Sequence, residues 1–374
     1  MRLRSALVVP LLLFAGGAGA QLLPAGPALP QLPGRLVGAT LQRTLDDPAL
    51  RAPLSALRRL RIDTLLHDQR RRVDLDGHGE PVLRGEFLLL GGDAATLAAV
   101  QAVGFTATRR DDGEGLGLDL FVLRDTRDRS AIRAMLELQQ AAPQAAFAFQ
   151  HLYLPAGAAG ARAAPDEAKA AGDAASPLRI GLIDGGVDAR DPAFAGLRLE
   201  RHGCAGAAAA DPHATAVAER LAGHARGVLY AADLWCGDPV GRATLGLVDA
   251  LAWMARERVP VVNISLVGPD NPVLARAIAA LVARGHVVVA AVGNDGPAAP
   301  PLYPASYPGV IGVSGVDAKL RALPEAASGA QVDFAASGID GDGRHALRGT
   351  SFAAPVVARL AALRVHAPTP GAGA

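Results

Sequence analysis

Residues 178–186 read Leu-Arg-Ile-Gly-Leu-Ile-Asp-Gly-Gly, a short apolar run that ends in a carboxylate and two glycines. Similar apolar runs, rich in β-branched residues, recur along the chain at 228–234, 259–264, 286–291 and 310–314. Helical patterns alternate with them at 213–221, 244–256, 272–283 and 351–364. Continuous apolar strands that alternate with helices predict an α/β fold over 178–366, a doubly wound and mostly parallel sheet covered on both faces.

Upstream of this sheet, residues 81–154 follow a different rhythm. Short apolar runs predict strands at 86–90, 105–108, 118–123 and 146–150, and helical patterns lie at 93–103 and 129–140. This β-α-β-β-α-β order is that of a small α+β unit of the ferredoxin-like type. Residues 155–177 are dominated by Ala and Gly and have little to bury, so we expect an open linker between the two domains.

The N-terminus has the order of a signal peptide: Arg2 and Arg4, an apolar run at 6–14, and small residues at 18–20. Residues 1–20 are therefore expected to direct export to the periplasm or the exterior, because the run is too short for a membrane anchor. Residues 21–80 predict a Pro- and Gly-rich lead-in and then a helix at 41–66, interrupted near Pro48 and Pro53. A disordered tail is expected at 367–374.

Composition excludes several classes of partner. Of the 374 residues 50% are hydrophobic and 20% charged, with a net charge of +1, and no basic stripe points to nucleic acid. No later run is long enough for a stable membrane span. Cys204 and Cys236 are the only cysteines. In an oxidising compartment they are expected to form a disulfide; the alternative is a pair of small buried thiols.

Three side chains at predicted strand ends or helix starts suit nucleophilic catalysis. Ser351 begins a helix, where free backbone N–H groups favour a developing oxyanion, while His213 opens another helix and Asp184 ends a strand. Alone, each has an ordinary interpretation, a helix cap for the serine and the aspartate and a structural imidazole for the histidine. A serine needs a base and the base needs an orienting carboxylate, so together they predict a triad.

Asn294 adds a fourth group. It lies in Val-Val-Ala-Ala-Val-Gly-Asn-Asp-Gly (288–296), just after a predicted strand and beside glycines. Its side-chain amide can donate a hydrogen bond to an oxyanion together with the Ser351 backbone N–H. The alternative is an asparagine in a left-handed turn, which is common before Gly-rich loops.

Residues 178–364 resemble the catalytic domain of the subtilisin-like serine proteases (subtilases, peptidase S8 type). Four blocks match in order: Ile-Gly-Leu-Ile-Asp-Gly-Gly-Val-Asp (180–188), His-Ala-Thr (213–215), the Asn294 strand, and Gly-Thr-Ser-Phe-Ala-Ala-Pro (349–355). The resemblance implies peptide hydrolysis through an acyl-enzyme. In this reaction Asp184 would orient the imidazole of His213, His213 would act as general base and then as general acid, and Ser351 would be the nucleophile. Asn294 completes the oxyanion hole.

The resemblance also implies substrate-binding residues, polypeptide substrates and an intramolecular inhibitor. The walls of the specificity pocket would be Ser265, Leu266, Val267, Gly268, Ala291, Val292 and Gly293. Val267 stands where the family often has glycine, so we expect a narrow pocket. Many subtilases carry a ferredoxin-like propeptide that plugs the active site and is cut off, and residues 81–154 have the matching position. The helix at 41–66 has no counterpart.

Other features leave alternatives open. Gly185 stands where the family usually has Ser or Thr, which removes one support for Asp184. No cofactor is expected; subtilases often bind calcium, but no acidic cluster fixes a site, and the loop 340–343 (Asp-Gly-Asp-Gly) is the only candidate.

The competing functions are a catalytically impaired subtilase fold that serves as a binding or scaffold module, and a sedolisin-type enzyme. His213 and Asn294 disfavour the latter.

Overall fold

The computed structural model describes residues 48–110, 115–156, 177–204, 209–341 and 346–365, with the side chains of 48–56 left out. The signal peptide expected at 1–20, most of the linker and the tail at 367–374 lie outside these ranges. None of the helices in the described ranges is both long and apolar enough to cross a membrane.

The N-terminal elements are a first helix and a five-stranded antiparallel sheet on which two further helices pack. They are α1 (Pro48–Asp68), β1 (Val73–Leu75), β2 (Pro81–Leu90), α2 (Ala94–Ala102), β3 (Phe105–Arg110), β4 (Leu120–Asp125), α3 (Ala131–Ala141) and β5 (Ala146–His151). The strand order is β1-β2-β4-β3, with β5 on the other side of β2. From β2 to β5 the chain has the β-α-β-β-α-β order.

The first helix, α1, differs from its prediction. It runs without a break from Pro48 to Asp68, so the interruption expected near Pro53 is absent. The described helix begins at Pro48, and the interruption expected there stays a prediction because residues 41–47 lie outside the described residues. Pro48 occupies the first helical position, where the missing N–H costs nothing because it has no intrahelical acceptor. The chain therefore forms one continuous helix from Pro48 to Asp68.

The second sheet has seven strands in the order β14-β13-β12-β10-β7-β9-β8, all parallel to their neighbours. The elements of this domain and the segment before it are β6 (Leu154–Pro155), β7 (Leu178–Asp184), β8 (Leu197–His202), α4 (Pro212–Ala222), β9 (Gly227–Asp233), α5 (Ala243–Arg256), β10 (Val261–Ile264), β11 (Leu266–Val267), α6 (Pro272–Ala283), β12 (Val287–Ala291), β13 (Val310–Val316), β14 (Phe334–Ser337), β15 (Ile339–Asp340), β16 (Leu347–Arg348) and α7 (Thr350–Val365). The predicted doubly wound α/β fold is confirmed.

The two faces of this sheet carry separate apolar clusters. Alternate side chains of one strand point to opposite faces, so Val262 packs with α5 and α6, whereas Val261 packs with α4 and α7. Each fully buried Val, Leu, Ile or Phe contributes about 1.5–3 kcal/mol. Ser351 and His213 lie on the two helices of the second face, α7 and α4.

The N-terminal sheet packs on the other pair of helices. Leu88, Val122 and Ala148 share one buried cluster with residues of α5 and α6, including Leu251. At the border, the Asn271 side-chain amide donates to the Phe149 carbonyl at 2.9 Å. The described residues belong to one compact unit, so the N-terminal sheet is docked on the larger domain.

The predicted disulfide joins Cys204 and Cys236. It ties the loop after β8 to the loop after β9 across 32 positions of sequence. Closing a loop of this length in the unfolded chain stabilises the fold by about 3–4 kcal/mol in the chain-entropy account. The bond reinforces the sheet edge next to Asp184, because β9 pairs with β7.

Candidate active site

The structure brings Asp184, His213 and Ser351 together, although they lie far apart in the sequence. The Ser351 hydroxyl donates to Nε2 of His213 at 3.0 Å, and Nδ1 of His213 donates to Oδ1 of Asp184 at 3.2 Å. Ser351 is 0% exposed, His213 4% and Asp184 1%. Ser351 and His213 are each the second residue of a helix, α7 and α4, and Asp184 is the last residue of β7.

The start of α4 fixes the position of His213. Asp211 precedes Pro212 and caps the helix, because its Oδ1 accepts from the Ala214 N–H at 2.8 Å. The Thr215 hydroxyl donates to the Asp211 carbonyl at 2.8 Å. An aspartate cap followed by proline at the first position is a strong helix start. The imidazole is therefore held in the first turn of a well-capped helix.

The helices that carry His213 and Ser351 are joined to each other. Nε of Arg220 in α4 donates to the Phe352 carbonyl in α7 at 2.8 Å. Arg359 in α7 donates in return to the carbonyl of Gly223, just past the end of α4, at 3.0 Å. Both bonds involve the C-terminal end of α4, at Arg220 and Gly223. They fix the base relative to the hydroxyl.

The surroundings of Asp184 explain the glycine that follows it. Oδ1 accepts from the Gly185 N–H at 2.7 Å, whereas Oδ2 has no hydrogen-bond partner within the described part of the chain. A Cβ at position 185 would lie 3.1 Å from Cβ of Asp211 and 3.5 Å from Cβ of Ala214. The Asp211 side chain thus occupies the space into which a serine or threonine would project.

Two carboxylates flank His213. One oxygen each of Asp184 and Asp211 and a ring nitrogen of His213 lie within 4.8 Å of one another. Burial lowers the pKa of His213, but the charge and hydrogen bond of Asp184 and the charge of Asp211 outweigh burial. The pKa is raised above its ordinary value of 6.5, even though the charge of Arg61 acts to lower it.

Asn294 is oriented by the loop before α7. Its Oδ1 accepts from the Thr350 N–H at 3.0 Å, and the Thr350 hydroxyl accepts from the Gly293 N–H at 3.1 Å. With its oxygen held in this way, Nδ2 points into the cleft and donates to the carbonyl oxygen of Ala156. The Ser351 N–H lies in the first turn of α7, where intrahelical acceptors are absent. The role of these two groups as oxyanion donors stays a prediction.

Residues 154–156 occupy the cleft. Strand β6 pairs antiparallel with β11, with Pro155 opposite Leu266 and Leu154 opposite Val267. The pairing continues through the Ala156 N–H, which donates to the Ser265 carbonyl at 3.1 Å. The expectation that residue 155 opens a loose linker is therefore corrected, because its backbone is hydrogen-bonded as an edge strand.

Gly349 permits this close approach. Its φ of +144° and its position below the cleft leave no room for a side chain. A Cβ there would lie 2.7 Å from Nδ2 of Asn294 and 3.0 Å from the Ala156 oxygen. Any other residue would push the carbonyl away from the amide. The glycine before Thr350 and Ser351 thus belongs to the site itself.

The predicted pocket walls divide into two groups. Ala156 is 2% exposed and shares an apolar cluster with Val267, Ala291 and Leu302. A Cβ on Gly293 would lie 2.8 Å from Cδ1 of Leu302 and 3.7 Å from Cγ1 of Val267, so these two side chains lie against Gly293 at the predicted pocket wall. Val292 instead packs in the cluster on the opposite face of the sheet. Leu302 was not predicted.

Gly268 lies against the side chain of Tyr153. A Cβ there would lie 2.5 Å from Cδ1 of Tyr153, whose ring is buried. The Tyr153 hydroxyl donates to the Pro269 carbonyl at 3.3 Å. The cleft therefore holds an aromatic side chain three residues before the small side chain of Ala156.

Two clusters of possible metal ligands bear on the expectation of calcium binding. Within the described residues, two groups of three could hold an ion: Cys204, Asp233 and Cys236, and Asp184, Asp211 and His213. The cysteines are joined in a disulfide, and the second group is the site above. In the loop 340–343, Asp340 pairs with Arg220 at 3.0 Å, and Asp342 lies outside the described residues. Within the part of the chain that the structure describes, none of these groups forms a defined calcium site.

Comparison with known proteins identifies the family. The model of the subtilase family (Peptidase_S8) matches residues 178–369, just over half of the chain. The chain belongs to the subtilase family, and the matched range contains all the side chains that form the site except those of residues 154–156.

Individual relatives cover less of the chain. The thermophilic serine proteinase of Bacillus sp. (strain AK1) is 34% identical over 214 residues, which is 50% of this chain and 52% of that protein. Subtilisin DY of Bacillus licheniformis is 35% identical over 127 residues, 31% of this chain and 46% of the relative. The chain thus spans about half the length of these curated relatives.

A solved structure extends the likeness in fold. Fervidolysin from Fervidobacterium pennivorans, described as a keratinolytic enzyme related to subtilisin, matches 78% of this chain and 56% of its own, with a TM-score of 0.58. Sequence identity is 17%, so this match concerns the fold alone. The region of this chain that aligns with fervidolysin is larger than the region that the family model matches.

Proposed function

We propose that the chain is an exported serine endopeptidase whose N-terminal region, up to Ala156, is a propeptide cut off by its own active site. The observation that carries the proposal is the contact between the Ala156 carbonyl and the Asn294 amide, whose oxygen accepts from the N–H of Thr350, the residue before Ser351. A peptide carbonyl held by an oxyanion donor next to an activated hydroxyl is the arrangement of a bound substrate.

The reaction follows from this arrangement. His213 takes the hydroxyl proton as Ser351 attacks the Ala156 carbonyl carbon, and the negative oxygen is stabilised by Asn294 and the Ser351 N–H. The bond to Gly157 breaks and its amine receives the proton from His213. Water, activated by the same imidazole, then hydrolyses the ester. Asp184 orients the imidazole and stabilises its charged form.

The cut N-terminal region would remain as an inhibitor. Residues 154–156 would still pair with β11 as a cleavage product, and the sheet of the propeptide would still cover α5 and α6. Its affinity would come from this buried surface and from the main-chain hydrogen bonds of the added strand. Activity on other polypeptides would begin when it dissociates.

Export is supported by two features. Residues 1–20 have the charged, apolar and small-residue order of a signal peptide, and Cys204 and Cys236 form a disulfide, which persists in oxidising compartments. We propose the periplasm or the exterior as the destination.

Hydrolysis of short peptides tests the proposed activity and its selectivity. The processed enzyme is expected to cleave Tyr-Leu-Pro-Ala-p-nitroanilide at least about 100-fold faster than the matching peptide that ends in Phe, because Val267 and Leu302, which lie against Gly293, would narrow the pocket. Val267→Gly should lower this ratio about tenfold or more, and Val267→Ile should preserve it. The measurement is kcat/KM for both peptides.

The possible results separate the competing functions. No hydrolysis of either peptide would favour the binding or scaffold module. Equal or faster hydrolysis of the Phe peptide by the parent enzyme would overturn the narrow pocket while leaving the endopeptidase in place.

The pH dependence should report the raised pKa of His213. The base must be neutral, so activity is expected to fall as pH decreases through a midpoint above 6.5. Release of the propeptide removes the charge of Arg61 and part of the burial, both of which lower the pKa, so the midpoint stays above 6.5. Asp211→Asn keeps a capping oxygen for Ala214 but loses its charge. The acid limb of kcat/KM should then move to lower pH; an unchanged limb would contradict the role of Asp211.

A further inference from the structure

Helix α1, which the family resemblance leaves without a counterpart, lies over the occupied cleft. A cavity of about 270 Å³ separates the helix from the seated strand. It is lined by Leu57, Arg58 and Arg61 of the helix, by residues 154–156, and by Val267, Asn294, Asp295, Glu325 and Arg348 of the larger domain. The helix therefore faces both the proposed cleavage product and the rim of the site, which is formed by Asp295, Glu325 and Arg348.

Arg58 joins the helix to that rim. Its Nε lies 3.5 Å from Oδ2 of Asp295, the residue that directly follows Asn294. Its other end pairs with Glu80, at the start of the propeptide sheet. The side chains of Arg58, Asp295 and Glu80 are only 11%, 18% and 21% exposed. One guanidinium thus connects α1, the propeptide sheet and the oxyanion loop.

The electrostatics favour this contact. Burial raises the pKa of Asp295, and the charge of Arg58 acts against that rise. Without Arg58, the Asp295 carboxylate would lie largely buried beside the carboxylate of Glu80, which also acts to raise its pKa. Removing one partner of a buried ion pair is costly because the other charge is left uncompensated. The negative charge of Asp295 at the rim is therefore complementary to the positive charge of Arg58 on α1.

We propose that α1 is a clasp: the acidic rim at Asp295 is a docking surface for this basic helix, which retains the propeptide after its bond to the enzyme has been cut. This inference rests on the proposed function. Dissociation of residues 154–156 would then require the Arg58 pair to open as well. The clasp adds a contact beside the oxyanion hole that is separate from the sheet docked on α5 and α6, so it would lengthen latency.

The lag before activity tests the clasp in the full chain. The parent should cut itself and then hydrolyse Tyr-Leu-Pro-Ala-p-nitroanilide only after a lag. Arg58→Ala and Asp295→Asn should each shorten the lag at least tenfold, and Arg58→Ala should leave the final rate little changed. Arg59→Ala, on an exposed position of the same helix, is the matched control and should leave the lag unchanged.

The results distinguish failure of the clasp from failure of the proposed function. If the parent chain is never cut, as judged by intact mass, the proposed function fails and the clasp fails with it. If the parent is cut but Arg58→Ala and Asp295→Asn keep its lag, only the clasp is overturned. Glu80→Gln separates the two ion pairs. If it shortens the lag as much as Arg58→Ala while Asp295→Asn has no effect, the contact matters only within the propeptide, which also overturns the clasp.

Discussion

Replacing Ser351 with alanine is expected to lower peptide turnover by about a millionfold, the loss found when the nucleophile of subtilisin is removed. Without the hydroxyl no acyl-enzyme can form, and only the oxyanion donors and substrate binding still accelerate hydrolysis. The measurement is steady-state hydrolysis of Tyr-Leu-Pro-Ala-p-nitroanilide together with labelling by a fluorophosphonate. Both should disappear in Ser351→Ala.

Ser337→Ala provides the matched control. Ser337 lies on the exposed edge strand β14, so its loss should leave turnover and labelling unchanged. Labelling that persists in Ser351→Ala, or turnover that falls by less than about tenfold, would contradict the assignment of the nucleophile.

Asn294→Ala is expected to lower kcat by about 100- to 1,000-fold, equivalent to about 2.7–4 kcal/mol, with little change in KM. The range is that found for loss of the corresponding donor in subtilisin. The amide would act mainly on the charged oxygen of the transition state, so its loss should appear in kcat. The measurement is kcat and KM for the processed enzyme on the same peptide.

A second variant separates this role from a structural one. Oδ1 of Asn294 also accepts from the Thr350 N–H, so the alanine variant loses that support too. Asn294→Asp keeps the acceptor but removes the donor, and its kcat should fall at least as far as that of Asn294→Ala. Near-parent activity in Asn294→Asp would contradict the oxyanion role and leave only the support of Thr350.

The central strands and the grouping of the site could be predicted from the sequence. Strands buried on both faces are apolar along most of their length, as at 178–183 and 259–264, which hold one polar residue each. The carboxyl ends of parallel strands meet at one edge. That edge carries Asp184 and Asn294. The edge strands β8 and β14 were missed because β8 is only partly buried and alternates apolar with charged residues, whereas β14 is short and mostly exposed.

The contents of the cleft could not be predicted because they depend on pairing between distant segments. Residues 154–156 join β11 through backbone hydrogen bonds, which any residue with an N–H and a carbonyl can make. Local composition therefore made Pro155 the start of the linker. Leu302 and Arg58 were missed for the same reason, since each acts on the site only through a tertiary contact. Asp211 could have been found, because Asp-Pro before His213 is a helix start.

The mass of the purified chain tests the central claim most directly. A self-cleaving endopeptidase with Ala156 in its cleft should yield two fragments that meet at the Ala156–Gly157 bond, whereas Ser351→Ala should remain one uncut chain in the same preparation. A parent chain that stays intact would contradict the account. So would a cut at the same bond that persists in Ser351→Ala.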